Sequence, residues 1–177
     1  LSIFIVLFYI STFSIKLYSQ TGRLYTTDYE LSNSLINTIY QDSRNFIWIA
    51  TEDGLNKYDG VKFTIYRNQK GNPHSLKNNY VRSLFEDSKG RFWVGCVNGL
   101  MLYDRVTDSF TEVPLYYGSR LLEPHVSSII ETRAGEILIS TSSDAILKYS
   151  EKDNQFQVDD GFLRRLCSRY IVSVFED

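Results

Sequence analysis

The chain has 177 residues, 43% hydrophobic and 15% aromatic, which is room for one domain with a substantial core. A formal net charge of -2 excludes the strong positive field of a nucleic-acid-binding domain, so no nucleic-acid partner is expected. Two cysteines, Cys96 and Cys167, exclude a disulfide framework or a metal pair of the usual spacing and read as small buried residues.

In chain order, the apolar run Leu1–Tyr18 is interrupted only by Lys16, and residues 1–19 are expected to be a signal peptide or an N-terminal membrane segment. Ser19 suits cleavage before Gln20, although Leu17 is larger than such a site prefers. Leu1 is not Met and no positive region precedes the apolar run, so the expectation is either that the true N-terminus is missing or that translation starts unusually. Next, Arg23–Thr27 reads as an outermost strand without the rest of its sheet.

From Leu31 onward the sequence repeats. Trp93 stands 45 residues beyond Trp48, and the match runs without a gap through Leu31/Leu76, Asn33/Asn78, Ile36/Val81, Ile39/Leu84, Asp42/Asp87, Gly54/Gly99, Leu55/Leu100 and Tyr58/Tyr103. A third, worn copy places Val126, Ile129, Ile130, Glu131 and Gly135 another 45 residues on, with Leu138 in place of Trp. One inserted residue near Ser143 moves Ile146 and Tyr149 to a spacing of 46, and Ile171–Phe175 opens a fourth copy as a lone innermost strand.

Within the second copy, Val81–Phe85, Arg91–Cys96, Leu100–Tyr103 and Phe110–Val113 read as four short strands. Asp87-Ser88-Lys89-Gly90 forms a polar turn, and Asn98-Gly99 reads as the central pair of a tight hairpin, both at positive φ. Four antiparallel strands in about 45 residues make one propeller blade. The fold class is therefore all-β, as β-propeller blades forming an incomplete ring of about three blades plus one strand. Residues 20–177 divide into blades of about 31–66, 76–113 and 126–158, with a fourth starting at 171–177. Ile39, Trp48, Leu84 and Trp93 are expected to fill the space between blades. A propeller typically needs four to eight blades, so both chain ends are expected to complete blades from sequence outside this chain, and exposed edges should make the isolated chain poorly soluble.

The string Ser43–Ile49, Thr51, Gly54, Leu55 and Tyr58, repeated as Ser88–Val94, Gly99, Leu100 and Tyr103, resembles the two-component regulator propeller repeat. Copy one has Asn45 where that pattern has Gly, and copy two has Cys96 for Thr. The resemblance spans about Arg23–Asp177. It implies the periplasmic sensor part of an inner-membrane hybrid histidine kinase, sensing oligosaccharides and regulating polysaccharide utilisation. It also implies that the remaining blades and the signalling domains lie outside this chain and that the full-length receptor is a homodimer. No kinase core fits here, so no enzyme activity, catalytic residue, cofactor or metal site is expected. The competing readings are a propeller lyase or glycosidase with an axial site, and an extracellular interaction scaffold.

Asp42, Asp87, Glu86 and Glu131 could suggest acid–base chemistry, but their recurrence beside turns favours capping. His74 and His125 fall at different points of the repeat and read as loop residues. The ligand-binding candidates are Tyr116, Tyr117 and Arg120, in the long link before the third blade, where exposed aromatics could stack on a sugar.

Overall fold

The computed structural model describes residues 30–142 and 145–159, all strand, turn or irregular backbone. The expected signal or membrane segment, the Arg23–Thr27 strand, the Ser143 insertion, Cys167 and the 171–177 strand lie outside the described residues.

The first sheet runs β1 (Ile36–Gln41), β2 (Ile47–Thr51), β3 (Gly54–Tyr58) and β4 (Phe63–Tyr66), antiparallel and in sequence order. The second repeats it with β5 (Val81–Glu86), β6 (Phe92–Cys96), β7 (Gly99–Asp104) and β8 (Ser109–Val113). In the third, β11 (Val126–Glu131), β12 (Ile137–Thr141), β13 (Ile146–Ser150) and β14 (Gln155–Val158) follow a hairpin of β9 (Leu115–Tyr117) and β10 (Arg120–Leu122). The order is β10-β9-β14-β13-β12-β11. The link expected to be a loop thus widens the third blade to six strands, and β9 lies parallel to β14. Pairing with β9 covers the β14 edge of that blade and moves the outer edge to the three-residue strand β10, a short edge that is a poor template for aggregation.

The innermost strands carry the same irregularity at the same place, a register shift between Ile36 and Thr38, Val81 and Ser83, and Val126 and Ser128. A bulge raises local twist, and here it turns the strand so that neighbouring sheets meet along their inner edges. Asn37 Nδ2 donates to Val81 O at 2.8 Å and Ser83 Oγ to Val126 O at 3.1 Å, tying β1 to β5 and β5 to β11.

Buried residues run without a break along Phe92–Cys96 and Ile137–Thr141, and because successive residues of a strand point to opposite faces, the sheets holding these strands bury both faces there. Trp48, Ala50 and Leu55 of the first sheet meet Leu84, Phe92, Val94, Met101, Tyr103 and Phe110 of the second. On the other side of the second sheet, Trp93, Leu100 and Val113 meet Ile129, Ile137, Ile139, Leu147 and Phe156 of the third. Full burial of one such side chain stabilises by roughly 1.5–3 kcal/mol, so these two layers hold the assembly together. The indole of Trp48 stacks on Phe92 at 4.6 Å and meets the edge of Tyr103 at 4.9 Å, and Trp93 is edge-on to Tyr149 at 5.1 Å. Ile39 departs from expectation: it is 63% exposed, because no described neighbour covers that face of the first sheet.

The hairpin signal is displaced by one residue. Cys96 pairs with Gly99, so Val97-Asn98 are the loop and only Gly99, at φ 146°, has positive φ. In the first blade Gly54 has φ 133°, and a Cβ there would come within 2.8 Å of Tyr66 O, so both dihedral and space demand glycine. Asn45 adopts φ 66° at the position Gly90 and Gly135 hold in the other blades, which is why Asn can replace Gly there.

The position two residues after each large β2-type side chain is small, as Ala50, Gly95 and Ser140. At Gly95 a Cβ would collide with Ser83 Oγ and sit 2.9 Å from Val126 Cγ1. Gly95→Ala should therefore destabilise the chain by about 1–3 kcal/mol through overpacking between the second and third blades. Urea denaturation reads this directly, and an unchanged midpoint would mean that these sheets stand farther apart.

Candidate functional site

The recurring carboxylates lie on the first turn of each blade. Asp42 accepts hydrogen bonds from Arg44 N and Phe46 N, both at 3.0 Å, and from the Trp48 indole N–H at 2.9 Å. Asp87 does the same with Lys89 N at 3.0 Å, Arg91 N at 2.9 Å and Trp93 Nε1 at 2.9 Å. A buried indole needs an acceptor, and the aspartate six residues earlier supplies it. The worn copy supports this assignment: where Leu138 replaces the tryptophan, Thr132 replaces the aspartate.

Glu86 and Glu131 reach backward across the blade boundary. Glu86 accepts from the backbone N–H and the hydroxyl of Ser43, both at 2.7 Å, and Glu131 accepts from the same groups of Ser88 at 2.7 and 2.5 Å. Each carboxylate pins the turn of the preceding blade. Arginine completes the seams differently. Arg105 enters the first boundary to bind Asp42 at 2.7 Å and Glu86 at 2.8 Å, whereas Arg91 at the second binds Asp87 at 2.6 Å and Glu151 at 3.0 Å. Glu151 holds the repeat position of Arg105, so charge sign is exchanged between the two boundaries.

Burial would raise the Asp42 carboxyl, but hydrogen bonds from Trp48, Arg105 and Phe46 outweigh it and hold it below the usual range. Asp108 is likewise lowered: burial opposes, while the Tyr103 and Tyr66 hydroxyls and Lys57 prevail. The stabilisation from a depressed carboxylate is fully present above its unfolded value, near pH 4, and is lost as pH falls through the folded value. The thermal midpoint is therefore expected to hold from neutral pH to about 4 and drop below it. Asp42→Asn should start less stable and lose less below that pH, and parallel curves for the two proteins would remove Asp42 as a source of the drop.

Burial pushes the Cys96 thiol up to about 12, so it carries no thiolate nucleophile at neutral pH. His74 and His125 are exposed, in the links before the second and third blades. No cluster of three metal-ligating side chains occurs among the described residues.

One recurring feature escaped the sequence reading. The tyrosine of each third strand locks the following turn: Tyr58 donates to Gly60 O at 2.7 Å, Tyr103 to Asp108, and Tyr149 to Asn154 Oδ1 at 2.6 Å. Asp108 and Asn154 hold left-handed φ of 51° and 50°. The signal was present, since Tyr58, Tyr103 and Tyr149 share one repeat position.

The structure places the three ligand candidates on the β9–β10 hairpin. Tyr117 pairs with Arg120 and Tyr116 with Leu121, so Tyr117 and Arg120 share one face and Tyr116 takes the opposite one. Tyr117 is 55% exposed and Arg120 is exposed, while Tyr116 is half-buried. Leu115, buried in the core, anchors the hairpin, and Phe156 N donates to Pro114 O at 2.9 Å. Tyr117 and Arg120 offer a flat ring beside a fork of N–H donors, a pair able to stack on a sugar and bond its hydroxyls.

The two component regulator propeller family matches residues 30–53 and 75–98, which cover the lead-in, β1–β2 and β5–β6 of the first two blades. Over 38 residues the chain is 53% identical to histidine kinase P4 of Formosa agariphila, a stretch covering 22% of this chain and 3% of that protein. Among solved structures it is similar to the extracellular domain of the putative hybrid two component system BT3049 from B. thetaiotaomicron, at 24% identity and TM-score 0.70 over 84% of this chain and 21% of that one. The extracellular domain of BT4673 from the same organism matches at 22% identity and TM-score 0.68, over 86% and 20%. PorZ, a surface component of the type-IX secretion system of Porphyromonas gingivalis, matches at 12% identity and TM-score 0.60, over 82% and 24%. The chain thus spans about a fifth to a quarter of these structures and a far smaller part of the kinase. The likeness to these structures is one of fold, and the two component regulator propeller repeat matches the first two blades of the chain.

Proposed function

We propose that the chain is part of the periplasmic, ligand-sensing region of a two-component signalling receptor, and that its inputs are oligosaccharides released from polysaccharides. The observation that carries this is the match of that regulator repeat in two adjacent blades at identical register. Support comes from the high identity to a histidine kinase over 38 residues and from the fold shared with extracellular domains of two hybrid two component systems. Residues 1–19 would direct export, and further blades and the signalling output of a homodimeric receptor would come from sequence outside this chain. The carboxylates an enzyme would need, Asp42, Glu86, Asp87 and Glu131, are each engaged in turn and boundary hydrogen bonds, which favours recognition over catalysis.

Isothermal titration of the full chain with neutral and acidic oligosaccharides tests this reading. Saturable binding of one class is expected, weakened roughly tenfold by Tyr117→Ala through loss of one stacking contact. Absence of binding across the panel would count against oligosaccharide sensing, and binding unaffected by Tyr117→Ala would move the site off the hairpin.

A further inference from the structure

The link between the first two blades is built once: where the next link forms the β9–β10 hairpin, the backbone after β4 folds into a loop held by its own side chains. Gln69 N donates to Ser75 Oγ at 2.9 Å, Asn72 Nδ2 to Gln69 Oε1 at 2.8 Å, His74 N to Asn72 Oδ1 at 2.9 Å and Asn68 Nδ2 to Leu76 O at 2.6 Å. Phe110 N donates to His74 O at 2.9 Å, which fastens the loop to β8. A compact loop fixed in this way presents a constant surface, the property a binding loop needs. With Met101 of β7 and Thr111 and Glu112 of β8 it lines a cavity of about 660 Å³, the size of a small-molecule site. The polar groups left on the cavity wall are mostly donors. The lining carboxylate, Glu112, is neutralised by Lys77, which also holds Glu123 at 2.8 Å. The Gln69 Nε2 amide, the Lys70 ammonium, the His74 imidazole and the Thr111 hydroxyl all line the cavity and make no hydrogen bond or ion pair with any described residue. An occupant that satisfies them brings hydrogen-bond acceptors and a negative charge.

We propose that this cavity is a binding site for an acidic sugar ring, with Lys70 on the carboxylate and Gln69, His74 and Thr111 on the hydroxyls. The inference rests on the oligosaccharide reading and deepens it, adding a subsite apart from the hairpin and naming the ligand as uronate-bearing. Glu123 directly follows β10, so the Lys77–Glu123 bond ties the cavity wall to the hairpin that carries Tyr117 and Arg120. Arg120, also without an ion pair among the described residues, suits the same charge.

The chain has two histidines, and His74 lines the cavity while His125 does not, so the imidazole proton resonances report on this site with an internal control. The full chain is titrated with disaccharides of glucuronate and of galacturonate, with the same disaccharides after reduction of their carboxyls to alcohols, and with acetate, following both the resonances and the heat. The acidic disaccharides are expected to move the His74 signals saturably and leave those of His125 in place. Their reduced counterparts should bind about tenfold more weakly, and Lys70→Gln should abolish that preference. Equal affinity for the reduced forms, a preference unchanged in Lys70→Gln, or movement by acetate as large as that by the disaccharides would overturn the inference. Heat of binding with His74 unmoved would overturn it and leave oligosaccharide recognition standing, whereas no heat from any sugar would remove both.

Discussion

Trp93→Ala is expected to lower the unfolding free energy by about 3–5 kcal/mol, the range for truncating a fully buried aromatic. Three losses combine at this position. The indole fills the boundary between the second and third blades, edge-on to Tyr149 at 5.1 Å and Phe156 at 5.7 Å. It lies under the Arg91 guanidinium at 5.1 Å, and its N–H satisfies Asp87. The neighbours are β-strands fixed by ladder bonds and cannot collapse into the void, so the cavity cost stays near the upper end. Trp93→Phe keeps one aromatic ring and gives up the other together with its N–H, so a smaller loss of about 1–3 kcal/mol is expected. Urea denaturation followed by the fluorescence of the remaining Trp48 measures both, and a loss below about 1 kcal/mol for Trp93→Ala would show that the boundary is not closed around this side chain.

Asp87→Ala is expected to cost about 3–5 kcal/mol although it removes far less volume. The carboxylate is buried and serves four donors: two turn N–H groups, the Trp93 indole and Arg91 Nε. Removing it leaves the indole N–H without an acceptor and deprives a partly buried guanidinium of one partner, and unmet buried donors are penalised more heavily than the bonds themselves contribute. Asp87→Asn keeps an acceptor and loses the charge, so an intermediate effect is expected. Equal losses for Asn and Ala would assign the whole effect to the ion pair; an Asn variant as stable as the parent would assign it to hydrogen bonding alone.

These two substitutions bracket how the sequence encodes the fold. The spacing of 45 residues between Trp48 and Trp93 made the blades legible because each boundary reuses one set of contacts, so selection on packing writes the same residues repeatedly. The pairing of aspartate with tryptophan was legible in principle, since Thr132 and Leu138 lose both together. What the period could not supply was anything made once. Lys57, which bonds the Tyr103 hydroxyl at 2.9 Å and lies 4.7 Å from the Phe46 ring centroid, has Leu102 as its repeat counterpart, so no pattern announced it. The β9–β10 hairpin pairs with β14 some forty residues away, a contact that no local turn signal specifies. Ile39 failed for the opposite reason. Its repeat position says buried, but burial belongs to the boundary and not to the residue, and its covering face is not among the described blades.

The candidate site was legible only in part. Residue type and location in an inter-blade link picked out Tyr116, Tyr117 and Arg120, yet strand alternation places Tyr116 on the face opposite the other two. The exchanged charges at the two boundaries, Arg105 on Asp42 and Arg91 on Glu151, were invisible to a search for sameness. Pairs of this kind add little net stability, and their opposite signs at the two boundaries make the two contacts chemically distinct.

Proton–proton contacts of the two indoles address radial stacking most directly. Sheets lying side by side predict nuclear Overhauser cross-peaks from Trp48 to Phe92 and Tyr103, and from Trp93 to Tyr149 and Phe156, whose ring centres lie 4.6, 4.9, 5.1 and 5.7 Å away. Indoles that contact only rings of their own repeat, such as Tyr66 for Trp48, would contradict it.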